Sequence, residues 1–388
     1  MMFLPLIPAA LMVLLLLMAK LMIRVPWPSS PRKEPVTVVV CARDEEPAIL
    51  ECLISLSEQT YPEDLYQILL VDHLSKDRTG EIMDHFAEES SVKTRVIHVT
   101  SEDGGLKGKV QALDIALDQV DTEYVLLTDG DCVVSDTWVE KMVSYLEDDV
   151  AIINGHVRVE DTEQEGSLLA RLQDTINLMF LAFSSGNSSF QKPPSLYHPI
   201  LRPFSPLLRR IRPSFNMGNN QGIRMSVYRE IGGLRKVGPT LIEDVALVNR
   251  ILQTTDYKTA VVMDPETIVT TRPSRNVRDF WRQSRRWASA TDRVQNRTNT
   301  VLLSLFVVNR IFLPWTVILF PITGLIAILS TGYAEYLLIR EANRILQTHT
   351  PKRDVIMHLV TQILLNHLVG LALLFRTPVI WKGQVYES

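Results

Sequence analysis

Two aspartates separated by one glycine, Asp129-Gly130-Asp131, are the residues whose type and spacing point most directly to chemistry. They follow Tyr124–Thr128, an apolar run with the composition of a buried strand. Both carboxylates could reach one Mg²⁺ or Mn²⁺, because such ions take one or two protein carboxylates and fill the remaining positions with waters and substrate phosphates. Asp-Gly is also a common turn dipeptide, so the triplet alone leaves both interpretations open.

Three further polar segments follow predicted strands or open predicted helices. Ala42-Arg43-Asp44-Glu45-Glu46 would line a cleft or, as the alternative, place acidic residues at the start of a helix. In the stretch from Asp72 to Thr79, Asp72 leaves its strand pointing into the same cleft. Gly105-Leu106-Lys107-Gly108-Lys109 suits an anionic phosphate at a helix N-terminus, and an ordinary glycine turn is the alternative.

Two segments nearer the C-terminus carry charged residues on predicted helices. Glu243-Asp244 opens an apolar-periodic helix, where Asp244 could be a partner of the helix dipole or a general base that accepts a proton from a hydroxyl. Trp281-Arg282-Gln283-Ser284-Arg285-Arg286-Trp287 puts three arginines and two tryptophans on about two helical turns. The pattern fits a helix at a membrane interface and equally an arginine clamp for a diphosphate.

Alternating strands and helices must position these residues. Strands are predicted at Val36–Cys41, Gln67–Val71, Arg95–Val99 and Tyr124–Thr128, with helices at Pro47–Gln59, Thr79–Glu88 and Lys109–Val120 between them. This order predicts an α/β domain with a mostly parallel, Rossmann-like sheet. Ligands of such sheets bind at the carboxyl ends of the strands, where the polar segments lie.

The composition excludes two function classes. Hydrophobic residues make up 46% of the 388, which is too many for a disordered chain, and the 40 basic and 44 acidic residues (net charge −4) argue against a general nucleic-acid binder. Cys41, Cys52 and Cys132 share no metal-ligand spacing and are too few for a disulfide framework, which indicates a reducing environment.

The N-terminus has the composition of a transmembrane anchor (residues 1–24). Phe3–Ile23 is long enough to cross a bilayer, and the basic residues after it, beginning with Arg24, predict that the next segment is cytoplasmic. A cleaved signal peptide is the alternative, but it would need positive charge before the apolar run and a small-residue cleavage site after it. An uncleaved anchor is favoured.

Residues 299–376 are apolar again and predict two or three further transmembrane helices, before a tail at 377–388. One alternative has spans at Ile311–Leu329 and Val355–Phe375. The other divides 301–320 from 321–339, which would put Arg340 and its basic neighbours on the cytoplasmic side. In that alternative Arg310 would cost roughly 2.5–3.5 kcal/mol unless it lies at the interface.

An insertion at residues 166–214 interrupts the middle region. Its first part, Gly166–Phe183, carries an apolar stripe that is typical of core and could also touch a membrane. Its second part, Gln191–Ser214, has six prolines and four arginines among apolar residues. We expect this part to lie at an anionic membrane surface, with a mobile surface loop as the alternative.

In order along residues 35–297, these motifs resemble the family 2 inverting glycosyltransferases with a GT-A fold. The family's opening Ala-Arg-Asn-Glu-Glu and its Val-Asp-Asp segment correspond to Ala42–Glu46 and Val71–Thr79. Its Gly-Lys followed by Ala-Leu-Asn corresponds to Gly108-Lys109 with Ala112-Leu113-Asp114. The metal motif, the Gly-x-Asn-x-x-x-Arg element, the acidic pair with the base and Gln-x-x-Arg-Trp correspond to Asp129–Asp131, Gly218–Arg224, Glu243-Asp244 and Gln283–Trp287.

The resemblance implies a role for each matching residue. It implies a divalent cation, Mg²⁺ or Mn²⁺, on Asp129 and Asp131, with Asp244 as the base and Arg286 stabilising the leaving diphosphate. The residues implied to bind the nucleotide-sugar donor are Ala42, Arg43, Glu45, Asp72, Lys109, Asp129 and Asp131. Those implied to bind the acceptor or the diphosphate are Asn220, Glu243, Gln283, Arg285 and Trp287.

Three positions depart from the family pattern. His73 replaces the second aspartate of the Val-Asp-Asp segment, which leaves open the residue that reads the nucleobase. Asp44 and Asp114 replace asparagines, so their hydrogen bonding must differ. The metal motif, the base and Gln-x-x-Arg-Trp are intact, which favours an active enzyme.

The acceptor follows less directly. Apolar segments on both sides of the catalytic region predict an integral membrane protein of the cell inner or plasma membrane, with the catalytic domain cytoplasmic and a lipid as acceptor. Gln-x-x-Arg-Trp resembles ceramide glucosyltransferases and processive polysaccharide synthases, and Trp381–Tyr386 resembles the ending of bacterial carotenoid glycosyltransferases. We expect single transfer of a hexose, with glucose from UDP-glucose first, to a carotenoid, sphingolipid or polyprenyl acceptor. A processive synthase and a non-enzymatic membrane scaffold are the alternatives.

Overall fold

The computed structural model describes residues 6–24, 27, 29–102, 105–161, 164, 166–210, 217–238, 240, 242–289, 297–374, 379–381 and 384–386. The strands in these ranges are β1 (Val36–Ala42), β2 (Tyr66–His73), β3 (Thr94–Val99), β4 (Tyr124–Asp129), β5 (Cys132–Val134), β6 (Val150–Asn154), β7 (Val157–Val159), β8 (Asn220–Arg224), β9 (Lys258–Val261), β10 (Val269–Thr271), β11 (Val379–Trp381) and β12 (Gln384–Tyr386).

The helices in the same ranges are α1 (Leu6–Ile23), α2 (Ile49–Ser57), α3 (Thr79–Glu89), α4 (Gly108–Asp118), α5 (Trp138–Ser144), α6 (Leu168–Ser188), α7 (Ser205–Leu208), α8 (Met225–Glu230), α9 (Gly233–Val237), α10 (Glu243–Thr254), α11 (Val277–Ser289), α12 (Arg297–Leu319), α13 (Pro321–Leu346) and α14 (Lys352–Leu374). The chain forms two compact units. One, the sheet unit, contains residues 27–160 and 216–272; the other, the helical unit, contains residues 1–26, 161–215 and 273–388.

The sheet unit is built on a seven-stranded sheet in the order β3-β2-β1-β4-β8-β6-β9. The first four strands in that order are parallel, and β8 runs antiparallel to both of its neighbours. The predicted mostly parallel α/β sheet is therefore confirmed, and the four strands predicted in its first half begin and end within two residues of the observed bounds. A smaller sheet, β5-β10-β7, completes the unit.

Helices cover both faces of this sheet, which explains why β1 is buried throughout and is apolar apart from Thr37. Val38 and Val40 face α2 and α5 in one buried cluster, whereas Val39 lies in a second cluster with α4 and α10. Every residue of β1 is buried. Side chains alternate between the faces of a strand, so a strand covered on both sides is mainly apolar, and the one polar side chain of β1, Thr37, is hydrogen-bonded to Thr122 and Gln67.

Among the described residues of the helical unit, three helices are long and apolar enough to cross a membrane: α1, α13 and residues 352–372 of α14. The apolar part of α12, residues 305–319, is shorter. The chain turns at Phe320, and Pro321 starts α13 at a position where a missing N–H is tolerated. The structure therefore contains the divided pair of helices and not a single helix over Ile311–Leu329.

Close packing joins the first part of the insertion to the N-terminal helix. A Cβ at Gly186 of α6 would lie 2.5 Å from the backbone of Ala19 in α1, so the two helices touch at small residues, as helices in membrane proteins commonly do. Most of α6 is buried, including Leu172, Ile176 and Met179 from the apolar stripe. The stripe is therefore mainly core, and the exposed Leu168 lies at its start.

Candidate active site

Strand register brings the predicted site residues to one edge of the large sheet. Cys41 of β1 is the register partner of Asp129 in β4, and Ala42 is the partner of Asp72 in β2. One strand further, Asp72 is the partner of His98 in β3. Because these strands are parallel and end together, residues far apart in sequence meet at the carboxyl edge, as expected for a ligand site of such a sheet.

Asp129 ends β4 beside a basic and an acidic side chain. Its carboxylate accepts a hydrogen bond from Lys109 Nζ at the start of α4, and Lys109 Nζ also lies 3.6 Å from Glu243 Oε1. A Cβ at Gly130 would lie 2.9 Å from Ala42 Cβ, so a larger residue between the two aspartates would press on the first loop. The structure thus brings Lys109, Asp129 and Glu243 together.

The charge balance of this cluster keeps Lys109 protonated. Burial by itself would lower the pKa of the Lys109 ammonium, but the charges of Asp129, Glu243 and Asp244 raise that pKa above its ordinary value. The ammonium therefore neutralises part of the negative charge of the carboxylates around it. An anionic ligand bound here would meet a permanent cation.

The metal expected on Asp129 and Asp131 requires a test against the side chains present. Among the residues that the structure describes, no three or more His, Cys, Asp or Glu side chains are grouped to hold a metal ion. Two carboxylates at a glycine turn still suffice for Mg²⁺ or Mn²⁺ when substrate phosphates supply other ligands. Asp129 keeps 30% of its side chain exposed, which leaves an oxygen accessible to such an ion. The two carboxylates therefore fit a metal ion that also takes ligands from the substrate, and not one that is bound by protein ligands alone.

Asp244 is held at the start of α10 by backbone amides. Its Oδ2 accepts a hydrogen bond from Gly218 N at 2.7 Å, and its Oδ1 accepts one from Val245 N at 2.7 Å. A Cβ at Gly218 would lie 3.1 Å from the Asp244 side chain, so glycine allows this close approach. The two amide hydrogen bonds fix the orientation of this carboxylate at the start of the helix, and its role as a general base stays a prediction.

The first and second polar loops are joined by hydrogen bonds. Glu45 N donates to Thr79 Oγ1 at 2.8 Å, and Lys76 N donates to Asp44 Oδ1 at 2.8 Å. Glu46 N donates to Asp77 Oδ2 at 3.0 Å. These bonds fix the Ala42–Glu46 loop, including Arg43 and Glu45, beside the end of β2 and the start of α3.

Asp72 has a partner that the sequence did not single out. Its Oδ2 lies 3.1 Å from His98 Nδ1, and the other ring nitrogen of His98 lies 3.0 Å from Asp84 Oδ1. Hydrogen bonds to Asp72 and then to Asp84 raise the pKa of His98. A Cβ at Gly80 would lie 2.7 Å from Asp72 Oδ2, so glycine leaves room for this arrangement. Each residue precedes the observed end of its strand by one position, but the predicted strand ended at Val71, so the sequence did not indicate this pairing.

The structure explains the three departures from the family pattern. His73 is buried, and its Nε2 lies 3.1 Å from Gln111 Oε1 on α4, so its ring lies in the protein and not at the surface. Asp44 has a φ of 56°, a conformation that aspartate and asparagine both tolerate. Asp114 accepts a hydrogen bond from Arg235 Nε at 2.9 Å, which gives the extra negative charge a partner.

Asn220 is fully buried, and its side-chain amide forms hydrogen bonds within the sheet unit. Its Oδ1 accepts from Trp138 Nε1 at 3.1 Å, and its Nδ2 donates to the carbonyls of His156 and Thr267 at 2.8 and 2.7 Å. These bonds tie β8 to three other segments. They assign Asn220 a structural task, and its role in acceptor or diphosphate binding stays a prediction.

The Gln-x-x-Arg-Trp residues lie on α11 in the helical unit. Gln283 Oε1 accepts from Gln173 Nε2 and Ser274 Oγ, each at 3.2 Å, so Gln283 joins α11 to α6. The Arg285 guanidinium lies 6.0 Å from the centre of the Trp281 ring. Arg286 and Trp287 are both partly buried on the same helix. Their expected contacts with diphosphate or acceptor stay predictions.

Two family models match the sequence of this chain. Residues 37–232, half of the chain, match Glycosyl transferase family 2, and residues 207–388 match Glycosyl transferase family 21. Glycosyltransferase AglE of Haloferax volcanii is 28% identical over 163 residues, which are 42% of this chain and 51% of AglE. The probable glycosyltransferase YdaM of Bacillus subtilis is 24% identical over 265 residues, 68% of this chain and 56% of YdaM. The chain thus spans about half the length of these relatives.

A solved structure shares the fold over nearly the whole chain. The mannosyltransferase PcManGT of Pyrobaculum calidifontis, in complex with GDP-Man and Mn²⁺, superposes with a TM-score of 0.62 at 18% identity, over 95% of this chain and 96% of that one. At this identity the likeness concerns the fold. Together with the family match over half of the sequence, it shows that the chain has a GT-A fold and belongs to glycosyl transferase family 2.

Proposed function

We propose that this protein is a membrane-bound inverting glycosyltransferase that moves a hexose from a nucleotide sugar to a hydrophobic lipid acceptor. The observation that carries the proposal is the arrangement of Asp244. Its carboxylate is held by two amides in the unit that also places Lys109, Asp129 and Glu243 together. A fixed base beside a site for an anionic leaving group is what a single displacement requires.

In the proposed reaction, Asp244 takes the proton from the acceptor hydroxyl. The oxygen then forms a bond to the anomeric carbon of the sugar while the bond from that carbon to the diphosphate oxygen breaks. The electron pair leaves with the nucleoside diphosphate, whose negative charge the Lys109 ammonium would stabilise. One displacement turns an α-linked donor into a β-glycoside without a covalent enzyme intermediate.

Asp129 and Asp131 would hold the divalent cation, which supplies Lewis-acid stabilisation of the leaving diphosphate when bound. Asp72 and the loop with Arg43 and Glu45 are proposed to bind the base and ribose of the donor. On α11, Arg286 and Arg285 are proposed to stabilise the diphosphate on the strength of the Gln-x-x-Arg-Trp motif alone.

Support for the donor and acceptor comes from different parts of the chain. The structure of PcManGT contains a nucleotide sugar and Mn²⁺ on the same fold, which favours that class of donor here. Helices suited to cross a membrane occur at both ends of the chain, and the family 21 match agrees with the resemblance to ceramide glucosyltransferases. We therefore propose a lipid acceptor, UDP-glucose as the first donor to test, and a cytoplasmic catalytic unit.

The first experiment offers detergent-solubilised protein radiolabelled UDP- and GDP-sugars with Mn²⁺ and a total lipid extract. We expect label to move into a discrete lipid species. Label in high-mass, lipid-insoluble material made without added lipid would identify a processive synthase instead, and no transfer with any donor would contradict the proposal.

Asp244→Asn tests the base directly. Asparagine keeps an oxygen that can accept from Gly218 N but removes the basic carboxylate, so we expect the rate constant kcat to fall about 10²–10⁴-fold while donor binding persists. The measurement is transfer rate against donor affinity, and Asp256→Asn, on an exposed residue of the same unit, is the control. Wild-type turnover in Asp244→Asn would exclude this base.

Metal removal tests Asp129 and Asp131. We expect EDTA to abolish transfer and Mn²⁺ or Mg²⁺ to restore it, because the proposed leaving group carries several negative charges. The measurement is transfer before and after dialysis against chelator. Full turnover without metal would rule out the proposed role of these two aspartates.

A further inference from the structure

The second part of the insertion has two contrasting faces over residues 194–210, here called the proline-rich segment. It contains two short turns, Pro194–Leu196 and Arg202–Phe204, followed by α7. The guanidinium of Arg202 donates to the carbonyls of Tyr197 at 3.1 Å and Ser195 at 3.0 Å, which ties the two turns together. The segment therefore has a defined conformation with an inner and an outer side.

The inner face packs against the end of α1. Tyr197, Leu201 and Leu208 are buried in one cluster with Phe190 and with Met22 of α1. Met18 and Leu21 of the same helix pack against this cluster. The segment is thus attached to the last turns of the N-terminal helix.

The outer face leaves large apolar side chains uncovered. Ile200 is 66% exposed, Phe204 is 56% exposed and Leu207 is 62% exposed. Ile200 precedes the second turn, Phe204 ends it and Leu207 lies in α7, so the three exposed side chains are interspersed along the chain with the buried Leu201 and Leu208. Arg202, Arg209 and Arg210 are also exposed within this stretch. Apolar anchors flanked by arginines are typical of a surface that lies in the headgroup region of a membrane.

The position of α1 fixes the depth of this face. The candidate span α1 ends at Ile23, and Arg24 follows it, so its last turns would lie where hydrocarbon gives way to headgroups. A segment packed on Met18 and Met22 would lie at that same level. Its arginines would then meet lipid phosphates, and its apolar side chains would reach the upper acyl region.

We infer that the proline-rich segment is an interfacial anchor that inserts Ile200, Phe204 and Leu207 into an anionic membrane surface beside the end of α1. The inference goes beyond the proposed reaction and uses none of its residues. The segment packs against a helix suited to cross a membrane and carries three exposed arginines. Both features favour a lipid surface over a protein partner.

The test uses the full chain in vesicles with an environment-sensitive NBD dye on single introduced cysteines. Phe204→Cys and Leu207→Cys probe the outer face, Leu14→Cys on the exposed side of α1 is the lipid control, and Glu88→Cys on α3 is the solvent control. The three native cysteines are buried, so labelling of the wild type measures the background. The vesicles are phosphatidylcholine with or without phosphatidylglycerol.

We expect blue-shifted emission at 204 and 207, with iodide quenching reduced at least about threefold relative to Glu88→Cys, as for an interfacial helix. Adding phosphatidylglycerol should deepen both effects, and Arg209→Gln with Arg210→Gln should remove that dependence. Emission and quenching at 204 and 207 equal to those of Glu88→Cys would overturn the inference and leave the face to a protein partner. Blue-shifted emission and reduced quenching that are the same with and without phosphatidylglycerol would overturn the inference that the surface is anionic.

Discussion

Each unit contains a cation paired with a carboxylate, and the two pairs differ in their exposure. In the sheet unit, Lys109 lies between Asp129 and Glu243, and Lys109 and Asp129 keep 33% and 30% of their side chains exposed. In the helical unit, Arg310 of α12 pairs with Glu335 of α13, whose side chains are 3% and 0% exposed. His358 Nε2 of α14 lies 3.8 Å from the same glutamate.

The difference in exposure distinguishes an ion pair whose members can exchange their partner for water from one whose members cannot. The first is called open here and the second closed. Water can reach both Lys109 and Asp129, so a diphosphate or a metal ion could enter between them at a modest free-energy cost. Neither Arg310 nor Glu335 can be rehydrated without opening the helices, and loss of one partner would leave a buried charge. The sequence predicts a free-energy cost for Arg310 in the membrane unless it lies at the interface. Because Glu335 neutralises its charge, Arg310 does not require an interfacial position.

The largest expected effect breaks the closed pair. Glu335→Gln leaves Arg310 without its counter-ion, and we expect the free energy of unfolding to fall by about 3–5 kcal/mol, as for other broken buried pairs. Replacing both residues, with Arg310→Met and Glu335→Leu, should recover most of that loss because no charge remains. Thermal unfolding in detergent measures both.

Glu341→Gln is the matched control for this prediction. Glu341 pairs with Arg24 at 2.8 Å, but Arg24 keeps 45% of its side chain exposed and can return to water. We expect a loss of at most about 1 kcal/mol for that substitution. Equal losses for Glu335→Gln and Glu341→Gln would contradict the distinction drawn from exposure.

A smaller effect is expected where the open pair is broken. Lys109→Met removes a cation that would compete with the proposed metal for Asp129 and would also bind diphosphate. We expect Mn²⁺ affinity of the donor-free protein to rise and donor affinity to fall, each by about tenfold, with a smaller stability loss than in Glu335→Gln. Calorimetric titration measures both affinities. Two affinities that fall together would show that Lys109 organises the site and does not compete for it.

The smallest effect concerns His98, which is 43% exposed between Asp72 and Asp84. Its raised pKa means that the fold favours the protonated ring. The resulting stability is fully present below the unfolded pKa of about 6.5 and is lost as pH rises through the higher folded pKa. We expect His98→Asn to lower the free energy of unfolding by under about 1 kcal/mol at acidic pH. This difference from the wild type should disappear at alkaline pH.

Unfolding curves of wild type and His98→Asn across this pH range measure that difference, and His85→Asn on the exposed side of α3 is the control. A difference that widens with rising pH would reverse the predicted sign. Donor affinity measured at the same pH values would show whether His98 also positions Asp72 for the proposed contact.

The strands and helices of the first half of the sheet unit could be predicted closely, because each is a local pattern. The apolar run of β1 and the helical spacing in α2 are visible in a few consecutive residues. The partners of Asp72 and Asp114 could not be predicted, since His98 and Arg235 lie 26 and 121 positions away along the chain. The break between α12 and α13 stayed one of two alternatives because both sides of it are apolar.

Motifs and periodicity are properties of neighbouring residues, so the sequence was enough to predict the family and the alternation of strands and helices, and to propose the residues of the site. It did not predict that Asn220 is fully buried, that Lys109 lies between Asp129 and Glu243, or that Arg310 pairs with Glu335, which the tertiary structure revealed. These outcomes depend on strand register and helix packing, which bring distant residues within a few ångströms. A charge acquires its role from those neighbours and from its access to water.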